Sequence, residues 1–120
     1  DRKTLSQCIF KVDIVFDNEV KHVKAFLDTG NELREPVTNL PVMLVDKKII
    51  EDTMNLQDDF FYIPFKLING NKNYFKAFKP RYIIIENNGV KEKREVVIAI
   101  SENKIDTSNN YEALLSRGIM

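Results

Sequence analysis

The chain has 120 residues, 43% apolar and 30% charged, with 18 basic residues balanced by 18 acidic ones. That length holds one domain around one core, residues 1–120, without needing disulfides or a metal. The zero formal charge supplies no field to gather nucleic acid or an anionic membrane.

No apolar run approaches the roughly 20 residues that cross a bilayer, and none of these residues is expected to be a signal peptide. The chain starts at Asp1 rather than Met, so it is expected to be a piece of a longer protein. Its single cysteine, Cys8, has no internal partner, which favours a reducing, cytosolic compartment. A lone cysteine in an apolar strand is expected to be a small buried hydrophobe.

Cys8, Phe10, Val12, Ile14 and Phe16 alternate with Lys11 and Asp13, the period-2 pattern of a half-buried strand. Asp17-Asn18 is a tight-turn signal. A second strand is expected over 20–27, with Val23, Ala25 and Leu27 on one face. This hairpin delivers its end to Asp28-Thr29-Gly30. Residues 41–45 read as a buried strand, followed by a short helical turn over 47–54 with Asp46 as its N-cap.

Strand-like runs at 60–68 and 74–79 flank Asn69-Gly70-Asn71-Lys72-Asn73, an exposed, mobile hairpin tip. Residues 82–85 are expected to pair with 96–100 through Asn87-Asn88-Gly89. Asn109 and Glu112 have capping-box spacing, Ala113, Leu114 and Leu115 favour helix, and Gly118 sits where a C-cap glycine belongs. The sum is a mostly β, small barrel-like domain with one C-terminal helix.

Asp28-Thr29-Gly30 carries the chemistry. The tripeptide by itself is also an ordinary turn, but here Ala25-Phe26-Leu27 leads into it from a buried strand, placing a carboxylate at a strand end near the core. Aspartic peptidases need that setting. Two carboxylates a few Å apart share one proton and titrate as a pair. The ionised one takes a proton from the attacking water while the other donates to the scissile carbonyl. Glycine lets the backbone approach the carboxylate and donate N–H groups, and the Thr29 hydroxyl can brace the loop. Asp13, Asp17, Asp46, Asp52, Asp58, Asp59 and Asp106 lack a following Thr/Ser-Gly. A dyad must therefore come from two identical chains across a twofold axis.

Phe26-Leu27-Asp28-Thr29-Gly30-Asn31-Glu32-Leu33, then Glu35-Pro36-Val37-Thr38 and Leu40-Pro41-Val42-Met43, resembles the sporulation sigma-E factor-processing peptidases. Ile63-Pro64-Phe65, Phe78-Lys79-Pro80, Val97-Ile98-Ala99-Ile100-Ser101 and Tyr111-Glu112-Ala113-Leu114-Leu115 extend the match over nearly the whole chain. That family is similar to retroviral-type aspartic peptidases in its cytosolic C-terminal domain, and its N-terminal part spans the membrane of the mother cell.

The resemblance implies a closed retropepsin-like β-barrel acting as a homodimer, with Asp28 as the catalytic residue of each chain, Thr29, Gly30 and Asn31 completing the active-site loop, and no cofactor. It implies that Ile68, Asn69, Gly70 and Asn71 form a substrate-binding flap. The implied reaction removes the N-terminal pro-segment of an inactive sigma factor during endospore formation. Activation would depend on a signalling protein secreted by the forespore, acting through the full-length membrane protein. Two departures stand out. Retroviral-type enzymes usually have Ala where this chain has Asn31, whose amide is expected to donate to the ionised carboxylate, and few residues follow the expected helix to form interleaved end strands.

Other chemistries are weaker. His22 is the only histidine, and it is expected to be a solvated surface residue rather than a metal ligand. Asp58-Asp59 reads as an exposed acidic turn in preference to a divalent-metal pair. Lys72, Tyr74, Phe75, Lys76, Phe78, Lys79 and Arg81 interleave basic and aromatic residues as single-strand nucleic-acid binders do. With no net charge to support that, a strand with apolar residues inside and lysines outside is preferred, and no nucleic-acid partner is expected. The alternative function is a non-catalytic dimerisation or protein-binding module of the same fold. The intact Asp-Thr-Gly argues for the peptidase.

Overall fold

The protein, seen here as a computed structural model, is described over residues 8–54 and 59–120. Nine strands form one sheet: β1 (Ile9–Val15), β2 (Val20–Asp28), β3 (Val42–Asp46), β4 (Phe61–Lys66), β5 (Lys72–Phe78), β6 (Tyr82–Asn87), β7 (Val90–Arg94), β8 (Val97–Ser101) and β9 (Ala113–Ser116). Among the described residues one helix, α1 (Lys47–Met54), follows β3, and a 3-10 turn, Arg117–Ile119, follows β9. Among the described residues no helix is long and apolar enough to cross a membrane.

The spatial order is β4-β5-β8-β3-β9-β2-β1-β6-β7. The sheet coils strongly. Ile98 and Ile100 of β8 share a core cluster with Ile83 and Ile85 of β6, although β3, β9, β2 and β1 lie between those strands. It does not close, however. The expected closed barrel is replaced by an open sheet whose terminal strands are β4 and β7. Both edges are built to stay unpaired: β7 reads Lys91-Glu92-Lys93-Arg94, mostly exposed, and β4 carries Pro64, which has no N–H to donate.

Alternation holds where it was expected. Val12, Ile14, Val23 and Ala25 enter the larger cluster with Val45, Ala113 and Leu115. The β1–β2 hairpin pairs Val15 with Val20, with the Phe16 N–H donating to the Glu19 carbonyl at 2.9 Å to close its turn. The opposite face near β3 carries a second cluster: Val42, Ile63, Ala77, Val97 and Ala99, with Leu33, Leu40 and Leu44 against it. Helix α1 plugs the large cluster with Ile50 and is latched to β2 by a Lys21–Asp52 ion pair of 3.1 Å.

Two further expectations fail. Residues 82–85 pair not with 96–100 but with β7, because Asn88 and Gly89 both take positive φ (52° and 80°) and reverse the chain within two residues. β8 instead pairs parallel to β3 and antiparallel to β5. The expected C-terminal helix is strand β9. It runs parallel to β2 (Ala25 with Ala113, Leu27 with Leu115) and antiparallel to β3 (Leu44 with Leu114). As a helix it would leave the facing edges of β2 and β3 unpaired in the middle of the sheet, a cost in buried N–H and C=O groups that local helix propensity of a few tenths of a kcal/mol per residue cannot offset. Glu112, expected to complete a capping box, instead bridges the two strands: its N–H donates to the Lys24 carbonyl at 2.9 Å and its carbonyl accepts from Asp46 N–H at 3.0 Å.

Candidate active site

Strand alternation aims Asp28. Ala25 points into the large cluster, so Phe26 and Asp28 emerge on the opposite face. Phe26 stacks on Tyr111 there, with ring centroids 5.1 Å apart. Asp28 is half-buried and ends β2, where its register partner is Ser116 of β9. The strand stops because the chain turns: the Asn31 N–H donates to the Asp28 carbonyl at 3.0 Å, and the Gly30 N–H donates to Asp28 Oδ1 at 3.1 Å. A Cβ at position 30 would stand 3.5 Å from that oxygen, an ordinary van der Waals contact. Thr29 is exposed.

Asn31 serves its own loop. Its Oδ1 accepts from the Leu33 N–H at 2.9 Å, and its carbonyl accepts from the Arg117 N–H at 3.0 Å, stitching the loop to the end of β9. The side-chain oxygen thus braces the turn. Arg117 also reaches Glu32 at 3.1 Å.

Beyond Leu33 the chain makes a rigid excursion back to β3. Glu35 is buried and accepts three hydrogen bonds, from Val37 N–H (2.8 Å), Thr38 N–H (2.7 Å) and the Thr38 hydroxyl (2.7 Å). The Thr38 hydroxyl first, then the two amides, hold its carboxyl below the usual glutamate range. Asn39, at φ 60°, reverses the chain, and its carbonyl accepts from Arg34 at 2.8 Å. Arg34 lies over Gly118, where any Cβ would collide with the guanidinium. Glu32, Arg34, Ser116, Arg117 and Gly118 line a cleft of about 340 Å³ beside the loop.

Asp28, Thr29, Gly30 and Asn31 lie in one turn. Ile68, Asn69, Gly70 and Asn71 form the tip of the β4–β5 hairpin, where Gly70 takes φ 87° and the Leu67 N–H donates to the Asn71 carbonyl at 2.8 Å. Ile68 is wholly exposed. Among the described residues no hydrogen bond joins this tip to the Asp28 loop. Phe61 and Phe75 of the hairpin and Leu33 after the loop all pack against the second cluster.

His22 is exposed, with Nδ1 2.6 Å from Asp13 Oδ1. Asp59 is exposed, while Asp58 lies outside the described residues. Cys8 is half-buried just before β1. Of the basic and aromatic run, Tyr74 faces out, Phe75 stacks on Phe65 at 4.1 Å, and Lys76 covers the Phe60 ring, so its aromatics are largely committed to packing. Sequence reasoning missed Arg34, Glu35, Ser116 and Arg117 as parts of the site. The Glu-Pro-Val-Thr run carried a signal for Glu35, since an acceptor two and three residues before free N–H groups makes a side-chain-capped turn.

A protein-family model described as sporulation factor SpoIIGA, of the U4 peptidases, matches residues 1–119. The chain belongs to that family. It is 45% identical over 118 residues to a probable sporulation sigma-E factor-processing peptidase of Clostridium acetobutylicum, covering 98% of this chain and 44% of that protein. It is 22% identical over 127 residues to a sporulation sigma-E factor-processing peptidase of Priestia megaterium, covering 87% of this chain and 41% of that protein. The chain therefore spans less than half the length of these curated relatives. Both are peptidases by name.

Proposed function

We propose that the chain is an aspartic endopeptidase domain that works as a homodimer, with one Asp28 from each copy forming the catalytic pair. The observation that carries this is the Asp28 turn. A carboxylate ends a strand inside the sheet, with one oxygen held by the Gly30 amide and its side chain on the face away from the larger core cluster, in a chain with a single Asp-Thr-Gly. Brought together across a twofold axis, two such carboxylates share a proton. One activates water and the other protonates the scissile carbonyl oxygen.

The names of the relatives support a pro-sigma factor as substrate, cleaved at its N-terminal pro-segment. The coiled open sheet is read as a variant of the retropepsin-like architecture, with the β4–β5 hairpin as the flap that closes over substrate. The full-length protein is read as membrane-anchored in the mother cell and controlled by a secreted forespore signal.

The test is to join two copies of the domain in one polypeptide and incubate this tandem protein with the pro-sigma factor. Wild-type halves should cleave it, and Asp28→Asn in one half alone should abolish cleavage, because an amide cannot share the proton. Residual turnover above about a thousandth of wild type would rule out a shared pair, since losing combined acid–base catalysis costs more than that.

A further inference from the structure

The hydroxyl of Ser116 is the one buried side-chain N or O atom among the described residues that lacks a hydrogen-bond partner. Its residue is 1% exposed. An unpaired buried hydroxyl costs about 1–3 kcal/mol, so its position calls for an explanation, and its surroundings supply one. Ser116 is the register partner of Asp28 in the parallel β2–β9 ladder. Paired residues on neighbouring strands about 4.8 Å apart project from the same face of a sheet. The serine and aspartate side chains therefore leave their strands on the same face, although in this conformation the hydroxyl makes no hydrogen bond to the carboxylate.

The carboxylate has an oxygen to match. Gly30 donates to Oδ1, and no donor among the described residues reaches Oδ2. The end of β9 cannot drift away, because the Arg117 N–H is bonded to the Asn31 carbonyl inside the same loop and Gly118 is packed under Arg34. Ser116 has extended backbone, φ −82° and ψ 159°, which leaves its χ1 free to choose among staggered wells.

We propose that Ser116 is a positioning residue for Asp28, its hydroxyl turning to donate to the second carboxylate oxygen and fixing the carboxylate plane. This rests on the reading of Asp28 as the catalytic group. Gly30 from within the loop and Ser116 from the neighbouring strand then hold one oxygen each. A donor of this kind favours the ionised form. The charged groups around the pair are Glu32 and Arg34 in the Asp28 loop and Arg117 after β9, with Lys24 and Glu112 further along the same strands. None of them is altered by changing Ser116.

The test compares wild type, Ser116→Ala and Ser116→Thr in two measurements. In the isolated domain, the Asp28 side-chain carbon is followed by NMR through an acid titration. The Ala variant should titrate at higher pH than wild type, and Thr, which keeps the hydroxyl, should return towards the wild-type behaviour. In linked dimers, the acidic limb of the pH–rate profile should move in the same direction, with KM unchanged. An Ala titration that superimposes on wild type overturns the proposal, whatever the activity. A Thr variant that titrates like Ala also overturns it, because the hydroxyl would then not be the responsible group. The NMR arm does not depend on catalysis. An inactive linked dimer with a normal Ser116 effect would therefore count against the peptidase reading and leave the Ser116–Asp28 contact standing.

Discussion

Replacing Glu35 by Gln removes a charge from the turn that ties the Asp28 loop to β3 and leaves its shape intact. The carboxylate accepts from three donors at 2.7–2.8 Å. The amide retains one oxygen and presents an NH₂ group to donors where an acceptor stood, so at least one charge-assisted bond is lost and the others weaken. Such bonds contribute about 1.5–3 kcal/mol each. Val37 and Thr38 are themselves exposed, so water re-solvates the freed N–H groups and the net loss should be about 1–2 kcal/mol at neutral pH. For a domain of this size that corresponds to a fall in Tm of roughly 4–10 °C.

The pH dependence gives a sharper check. The folded carboxyl sits below its ordinary value, so its contribution is fully present above the unfolded glutamate pKa, about 4.3, and disappears as pH falls through the depressed folded value. The Gln variant has no such group to lose. The gap in Tm between wild type and Glu35→Gln should therefore be widest at pH 7 and narrow steadily below about pH 4. Calorimetric melts of both proteins from about pH 7 to about pH 3 measure it. A gap that stays constant over that range, or none at neutral pH, would refute the reasoning from the three bonds.

Leu115→Ala should cost about 2–5 kcal/mol in urea unfolding, since the side chain is fully buried in the larger cluster, and a loss below about 1 kcal/mol would mean β9 is not packed as described. Asn31→Asp keeps the acceptor for the Leu33 N–H, whereas Asn31→Ala loses it at a cost of about 1 kcal/mol; equal destabilisation of the two variants would show that the acceptor oxygen is not what the loop uses. If a membrane tether supplies the effective concentration for pairing, the isolated domain should sediment mainly as a monomer at micromolar concentration and gain activity when two copies are linked. A dimer that persists at nanomolar concentration would defeat the tethering argument without touching the role of Asp28.

The sequence by itself determined the features that are local. Alternation in β1 and β2 has a period of two residues and so states which side chains face the core, and with them the side from which Asp28 emerges. The Asp-Asn turn, the Gly70 hairpin tip and the short helix at Lys47–Met54 are likewise written in residues adjacent in the chain. The Asp28-Thr29-Gly30-Asn31 turn was legible for the same reason.

What only the tertiary structure decided involves partners distant in sequence. Ala113-Leu114-Leu115 favours a helix locally, yet lies between β2 and β3 and pairs with the edge each turns towards the other. The charged strand β7 shows no apolar alternation because it lies at an edge, and its pairing follows from the Asn-Gly reversal rather than from its own composition. Whether the curved sheet closes depends on edge strands at opposite ends of the order, and Pro64 and the lysines of β7 act there as pairing blocks only once they are known to be edges. The placement of Ser116 beside Asp28 is of the same kind. A serine so far along the chain carries no sign of an aspartate until a parallel ladder sets the two on one face.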